Sequence, residues 1–508
     1  MFSKQEWKLF GFAVLLTLMS RASAFVSPTF NVDDLWFWAA NFDFVTSQTA
    51  FREGRFTGPF LYAFQFALGI NGPRAFALSA TLMAMSLAVS SILVCRIWKI
   101  DGNLIASGLV VAVLSQHPYQ TDLYTWKMAM LTGGFPFVMT MSALLIAAGS
   151  VRRFLIAVFI IVLAFGIHQI PLQLAAATLV LAVPIRLLQR NFVLREWLLM
   201  VAALLVGTIL YVVVAKLAIH YVPHFESVGR DKLIIFSDPQ LVVERICELA
   251  GVFTMSDPLT GWLSRLLLAC LLLVGSVGIL LQGGVSIGKR AAILALLMAG
   301  IAIAFVCSVA LTVVPVAWMP AFRNLMAINL VWAAIILVAY LVVHWRGRGA
   351  VAGVTILILL GFMGVSGEIL SDQQRANSRD VLLMNRISAD IEKLPDFNRI
   401  KLLAFVGTTT APLRKLRTAS DFSIGWYNYG TTLSVFSVWW PGYLVALYNE
   451  VNGATMAWAD EGPVMLQARD YCKGKPSWPA REAVKSMGDW AIVCVGPYQK
   501  PAPGRLER

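Results

Sequence analysis

Charge is the scarcest property of this chain. Only 14% of its residues are Asp, Glu, Lys or Arg, against about 25% in soluble globular proteins, while 58% are hydrophobic. That deficit excludes an ordinary soluble enzyme and points to a membrane protein. Acids are outnumbered by bases, 28 to 41, for a formal charge of +13. A nucleic-acid binder would gather such an excess into a long basic cluster or an RNA-reading motif, and neither occurs, so no nucleic-acid partner is expected. Walker and Rossmann signatures are missing too. Any activated donor or energy source must therefore come from the membrane or a gradient. With 5 scattered histidines and no Cys-x-x-Cys spacing among 6 cysteines, no resident metal centre or cofactor is expected.

What the chain has instead is a series of apolar runs, most of them near the roughly 20 residues that cross a bilayer as a helix. The first covers residues 8–27. It reads as an uncleaved helix or as a signal peptide, with Lys4 and Lys8 ahead of it and Ala22-Ser23-Ala24 as the cleavage site. Arg21, crowding that site, favours the uncleaved helix. The others are 75–96, 103–117, 128–150, 154–168, 171–189, 197–221, 262–282, 291–317, 323–345 and 350–370, with 103–117 and 154–168 short. The run 58–70 is too short to span, opens on Gly58-Pro59 and reads as re-entrant or interfacial.

Charge sets the expected topology. With Lys4 and Lys8 inside, every second loop is basic: Arg96 and Lys99; Arg152 and Arg153; Arg186, Arg190 and Arg195; Lys289 and Arg290; Arg346 and Arg348. The alternate loops hold most of the acids, including Asp33, Asp34, Asp122, Glu244 and Asp257. Counting 58–70 as a span would invert every later loop. The expectation is a polytopic α-helical protein of the bacterial inner membrane with about eleven transmembrane helices, N-terminus cytoplasmic and C-terminus periplasmic. Residues 1–370 form its membrane domain and 371–508 a small soluble α/β domain. In that tail, 372–393 reads as a polar helix with Leu382, Leu383 and Ile387 on one face, and 402–406 and 491–495 read as buried strands. Cys472 and Cys494 form a disulfide or remain buried thiols; an oxidising compartment favours the bridge. The loop 222–261 includes an amphipathic helix near 238–253.

Several outer-loop residues have the chemistry of a site. Adjacent carboxylates at Asp33 and Asp34 repel, which raises the pKa of one, and a carboxylate at the interface can serve as general base. The competing reading is a helix N-cap with a first-turn acid. Arg52 and Arg55 offer forked donors to an anion, or anchor lipid headgroups. The segment His117-Pro118-Tyr119-Gln120-Thr121-Asp122-Leu123-Tyr124-Thr125-Trp126-Lys127 joins acid, base and aromatics; Lys127 meets a phosphate or pairs with Asp122. His168-Gln169 places polar groups at the end of a short helix, as a functional pair or as a bonded junction. Arg323 is a lone base in a short outer loop, against the usual topological preference, which suits phosphate binding.

These residues together resemble the serotype-converting O-antigen glucosyltransferases, the type II glucosyltransferase family within the glycosyltransferase-C fold. The likeness rests on Asp33-Asp34 followed by Arg52 to Arg55, on the loop His117 to Lys127, and on His168-Gln169, and it covers residues 8–345. The chain departs from the family in Leu35-Trp36-Phe37-Trp38 after the acids and in His168 at a usually aromatic position. The resemblance implies transfer of a sugar, glucosyl in that family, from an undecaprenyl-phosphate donor to a lipid-linked O-antigen or related lipopolysaccharide glycan at the periplasmic face. Asp33 or Asp34 would be the base, Asp122 a second acid, and Arg52, Arg55, Lys127, His168, Gln169 and Arg323 would bind substrate. A flippase and a donor-synthesising glycosyltransferase are the implied partners. A flippase or transporter, an O-antigen polymerase or ligase, and a non-catalytic assembly protein are the competing classes. A transporter usually buries its ionisable groups at the midplane and often carries inverted repeats, whereas here the charges gather near the outer interface and no repeat is visible.

Overall fold

The computed structural model describes residues 2–32, 34–35, 54–70, 74–128, 131–220, 233–257, 259–282, 286–316, 318, 320–408, 423–424, 427–428, 434–437, 442–459 and 462–497. Its helices in chain order begin with α1 (Lys4–Ser20), α2 (Ala22–Val26), α3 (Gly58–Ala67), α4 (Phe76–Ile97), α5 (Leu104–Gln116), α6 (Thr121–Tyr124) and α7 (Phe135–Ala147). There follow α8 (Val151–Ile167), α9 (Ile170–Leu188), α10 (Leu194–His220), α11 (Pro239–Gly251), α12 (Trp262–Leu281), α13 (Ile287–Val313), α14 (Ile328–Val342), α15 (Arg348–Glu392), α16 (Gly442–Asn452) and α17 (Pro463–Cys472).

Every apolar run contains a helix, and 6 helices are long and apolar enough to cross a bilayer by length and composition. The chain is a helical membrane protein. Some of its helices start at side-chain caps: the Asn103 side chain accepts from the Ala106 amide at α5, and Asp238 from Leu241 at α11. Hydroxyls within the runs bond back to the carbonyl one turn earlier, as Ser91 to Leu87, Thr140 to Pro136 and Ser308 to Ala304. Each of these hydroxyls is thereby satisfied within its own helix. Helices α4 and α9 are largely enclosed, whereas α10, α12 and α13 keep rows of leucine, isoleucine and valine exposed. Such a surface is stable only against lipid or another apolar partner.

The helix ends sort into two sides. At one, Arg96 Nη2 meets Glu6 Oε2 at 2.8 Å, Lys99 Nζ meets Glu196 Oε2 at 2.7 Å, and Arg186 donates to the Ile97 carbonyl at 2.6 Å. At the other lie residues 30–32 and 34–35, the 117–128 segment and Arg323. Phe30, Val32 and Leu35 share a hydrophobic core with Met384, Ile387, Leu403, Phe405, Leu444 and Val493 of the tail. The described residues around Asp34 and the C-terminal sheet region therefore lie on the same side of the helices. In the run 58–70, α3 is only 10 residues long, about half of what a spanning helix needs.

The tail departs from expectation at its start. The polar segment 372–393 is not a separate helix but the continuation of the last apolar run, in one α15 of 45 residues. No Gly or Pro interrupts the joint, and Asp372, Gln373 and Asn377 there are buried and bonded rather than breaking the helix. Its buried face is Asp380, Met384, Ile387 and Ile391, not one that includes Leu382, which is exposed. Beyond it, β1 (Leu402–Val406), β4 (Ala457–Trp458), β5 (Val484–Ser486) and β6 (Trp490–Cys494) form a sheet of order β4-β1-β6-β5, parallel except for the β5–β6 pair. A short antiparallel pair, β2 (Ser423–Ile424) with β3 (Tyr427–Asn428), lies between them in sequence. Gly407, at φ +86°, ends β1 where a side chain would collide with the Gly496 carbonyl.

Cys472 at the end of α17 and Cys494 at the end of β6 form a disulfide across 22 residues. Closing a loop of that length removes about 3 kcal/mol of unfolded-state entropy. The Cys472→Ser, Cys494→Ser double variant is expected to lower the outer domain's stability by about that amount. Thiol titration of the unfolded, unreduced wild type should count 4 free cysteines; counting all six would remove the bridge.

Candidate functional site

The acidic site is built on the 117–128 segment, a linker between α5 and α7 that is buried almost throughout. It contains a 3-10 turn at Pro118–Gln120 and the single turn of α6. A buried linker must have its backbone groups bonded from outside, and here other elements supply those bonds. Arg21, at the α1–α2 break, is fully enclosed and donates to the carbonyls of Ser115 at 2.8 Å and His117 at 3.2 Å and to Thr121 Oγ1 at 3.2 Å. Its guanidinium also lies over the Tyr124 ring at 5.1 Å. Ser79 Oγ of α4 donates to the Lys127 carbonyl at 2.9 Å.

Asp34 grips the other end of the linker. Its carboxylate accepts from the amides of Asn31 at 2.8 Å, Lys127 at 3.1 Å and Met128 at 2.7 Å. The bond from the Asn31 amide to a side chain three residues on is half of a capping box, which makes Asp34 the first-turn acid and puts Asn31, not an aspartate, at the cap. The bonds to Lys127 and Met128 go further, tying the first outer segment to the linker. Burial pushes the Asp34 carboxyl up to about 6 despite these three amides, and burial draws the Lys127 ammonium down to about 8 despite the nearby carboxylate. Lys127 Nζ donates to the Tyr124 carbonyl at 2.6 Å.

Asp122 and Arg323 form the second half of the site. Arg323 lies on a 3-10 turn, Phe322–Leu325, immediately ahead of α14. Its backbone N and its Nη1 both donate to Asp122 Oδ2 at 3.1 Å. Asp122 Oδ1 accepts from Trp126 Nε1 at 3.3 Å, and the Arg323 guanidinium lies 4.2 Å from the Trp126 ring centroid. Asp122 is fully buried, and Arg323 keeps 15% of its side chain exposed. Of the two readings of Lys127, phosphate contact or pairing with Asp122, the pairing is not the one found: Asp122 pairs with Arg323. A guanidinium can donate to a carboxylate along its edge while its face meets an indole, and an ammonium has no such planar face.

Of the other predicted residues, Asp33 and Arg52 lie outside the described residues. Arg55, His168 and Gln169 form a second group, held by different elements. Gln169 Nε2 donates to Tyr211 Oη of α10 at 2.7 Å, and His168 Nδ1 accepts from the Ile170 amide at 3.2 Å, which makes the histidine a local cap at the start of α9. Arg55 is half-buried beside them, in a turn whose Thr57 amide donates to the Gly166 carbonyl at 2.8 Å. Among the described residues no group of three or more His, Cys, Asp and Glu side chains could hold a metal ion. His220 and His224 do stand four apart in sequence, but Pro223 intervenes and His224 lies outside the described residues.

Arg21 was the residue least visible beforehand. Its signal was an arginine at the outer end of an apolar helix, where charge disfavours it. Lysine cannot reproduce its fork. Arg21→Lys is expected to lower unfolding stability in detergent by about 2 kcal/mol, since buried carbonyls lose charged donors; an unchanged thermal midpoint would contradict this.

With the acidic site and its side of the molecule defined, the class is that of a helical membrane protein with a buried acid–base linker facing a sheet-containing domain. No family model matches the chain, and no curated protein matches it.

Proposed function

We propose that the chain is a glycosyltransferase of the glycosyltransferase-C kind, moving a hexosyl group from a polyprenyl-phosphate donor to a lipid-linked surface glycan. The observation that carries this reading is convergence. Carboxylates from two segments 88 residues apart, Asp34 and Asp122, meet on one buried linker together with Lys127 and Arg323. They do so on the side that shares a core with the outer domain. Phosphate-linked lipids present their reacting atoms at that depth, and cations beside acids match a reaction that moves a proton and releases a phosphate.

In the reaction, an acceptor hydroxyl oxygen attacks the anomeric carbon from the face opposite the phosphate. The bond from that carbon to the phosphate oxygen breaks, polyprenyl phosphate leaves with the electron pair, and the hydroxyl proton passes to a carboxylate. One displacement inverts the anomeric centre. Asp34 is committed to three backbone amides and Asp122 to Arg323. We therefore assign the base to Asp33, beside Asp34 in sequence. Lys127 and Arg323 stabilise the departing phosphate, and Arg52, Arg55, His168 and Gln169 take the remainder of the substrate.

The orientation follows the same reading. The Cys472–Cys494 disulfide fits an oxidising, periplasmic compartment. The basic loops around Arg96 and Arg186, at the opposite side, fit the cytoplasm. Mass analysis of the surface glycan from cells with and without the gene tests the assignment. A hexose increment present only with the gene is expected. An identical glycan in both strains, with the protein present in the membrane, overturns it.

A further inference from the structure

The outer domain and the acidic site are joined along one face of one helix. α15 runs unbroken from the bundle into the outer domain. Along it Ser366, Gln373, Asn377 and Asp380 are all buried, at spacings that put them on one side of a helix. Ser366 Oγ is bonded to Thr121 Oγ1 at 2.9 Å. The Gln373 amide nitrogen donates to two carbonyls, Phe30 at 3.2 Å and Thr125 at 3.0 Å. Asn377 Oδ1 accepts from the Phe30 amide at 2.8 Å. Asp380 accepts from Ser434 Oγ at 2.8 Å and the Val435 amide at 2.7 Å, inside the outer domain.

The two carbonyls on Gln373 belong to the two segments that carry Asp34 and Asp122. One primary amide has two N–H groups, one for each carbonyl, so Gln373 fixes the distance between the segments. Asn377 holds the preceding peptide, through the Phe30 amide, so both peptides flanking Phe30 are tied to α15. The side chains of Phe30, Val32 and Leu35 then enter a core with Met384, Ile387 and Ile391 of the same helix. The Asp34 segment is thus held to α15 by backbone bonds and by its apolar residues.

We propose that Gln373 and Asn377 are positioning residues that seat the Asp34 segment on the 117–128 linker, and that the outer domain is through them an integral part of the acidic site. The consequence for sugar transfer rests on the transferase reading; the consequence for the Asp34 segment does not.

Hydrogen exchange on the full-length protein in detergent or nanodiscs tests it. The Lys127 and Met128 amides, which donate to Asp34, report the seating; the Leu259 amide, which donates to Asp257 at 2.9 Å, and the Ala106 amide of α5 serve as controls. In Gln373→Glu, which faces two carbonyls with acceptors, exchange at Lys127 and Met128 is expected to rise at least about tenfold with the controls unchanged. Asn377→Asp keeps the acceptor for the Phe30 amide and should stay within about twofold of wild type, whereas Asn377→Leu should follow Gln373→Glu. Unchanged exchange at Lys127 and Met128 in Gln373→Glu overturns the proposal, as does an equal rise at Leu259 and Ala106. Transfer measured on the same variants should show kcat falling in Gln373→Glu and retained in Asn377→Asp. If the wild type transfers no sugar, the transferase reading fails while the exchange result still decides the positioning role.

Discussion

Asp34→Ala is expected to lower stability and abolish transfer together, whereas Asp33→Asn removes transfer alone. The alanine leaves the amides of Asn31, Lys127 and Met128 buried without their acceptor. Each such loss costs about 1–3 kcal/mol. Removing a desolvated carboxylate returns part of that, for a net loss on the order of 3 kcal/mol. Asp33→Asn removes the assigned base, an effect of about 10²–10⁴-fold on kcat, with no change in the thermal midpoint. Full transfer by Asp33→Asn would discard that residue as base, and an unchanged midpoint in Asp34→Ala would discard the anchoring role of its neighbour.

The same anchor gives the protein a pH signature. Asp34 sits at about 6 in the folded chain, above its ordinary 3.8, so the native state holds a proton that the unfolded chain has released between those values. Its contribution to stability therefore falls as pH rises through that window. Lys127 sits at about 8 rather than 10.5, so the native state has lost a proton that the unfolded chain keeps, and its contribution rises between about 8 and 10.5. Between them lies a trough at pH 6 to 8, where both groups are charged and buried. Thermal midpoints across pH 5 to 10 should show that trough in wild type. Lys127→Met should remove the recovery on its alkaline side.

Much of the architecture was legible in the sequence because lipid and water impose it. Apolar runs had to be helices, the strands read at 402–406 and 491–495 lie at Leu402–Val406 and Trp490–Cys494, and the favoured Cys472–Cys494 bridge is present. Individual carboxylates were not resolved by those signals. Asp34 as first-turn acid and Asp34 as base look identical when written in a row, and only the amides of Lys127 and Met128, about 93 residues away, separate them. Gln373 and Asn377 were hidden for a different reason. They sit in a stretch that reads as a polar surface helix, and its burial depends on Phe30, Val32 and Leu35 arriving from the far end of the chain. Arg323 did stand out, as a base against the topological trend, but sequence gave it a phosphate where the structure gives it Asp122.

That double role is testable through the Asp122–Arg323 pair. Breaking a buried pair from one side costs about 3–5 kcal/mol, because the remaining charge loses its partner. Asp122→Asn and Arg323→Gln should each fall in that range. The double variant should cost less than their sum, with a coupling of about 2 kcal/mol in a double-mutant cycle. A pair serving structure alone would show its whole effect in the thermal midpoint. Arg323 differs from Asp122 in keeping part of its side chain exposed, with its guanidinium over the Trp126 ring. Arg323→Lys keeps the charge and loses the fork and the stacking. It should therefore raise KM for the polyprenyl-phosphate donor about tenfold or more, with a smaller change in midpoint than Arg323→Gln. Equal KM values in Arg323→Lys and wild type would confine this arginine to holding Asp122, and would leave Lys127 as the cation that meets the leaving phosphate.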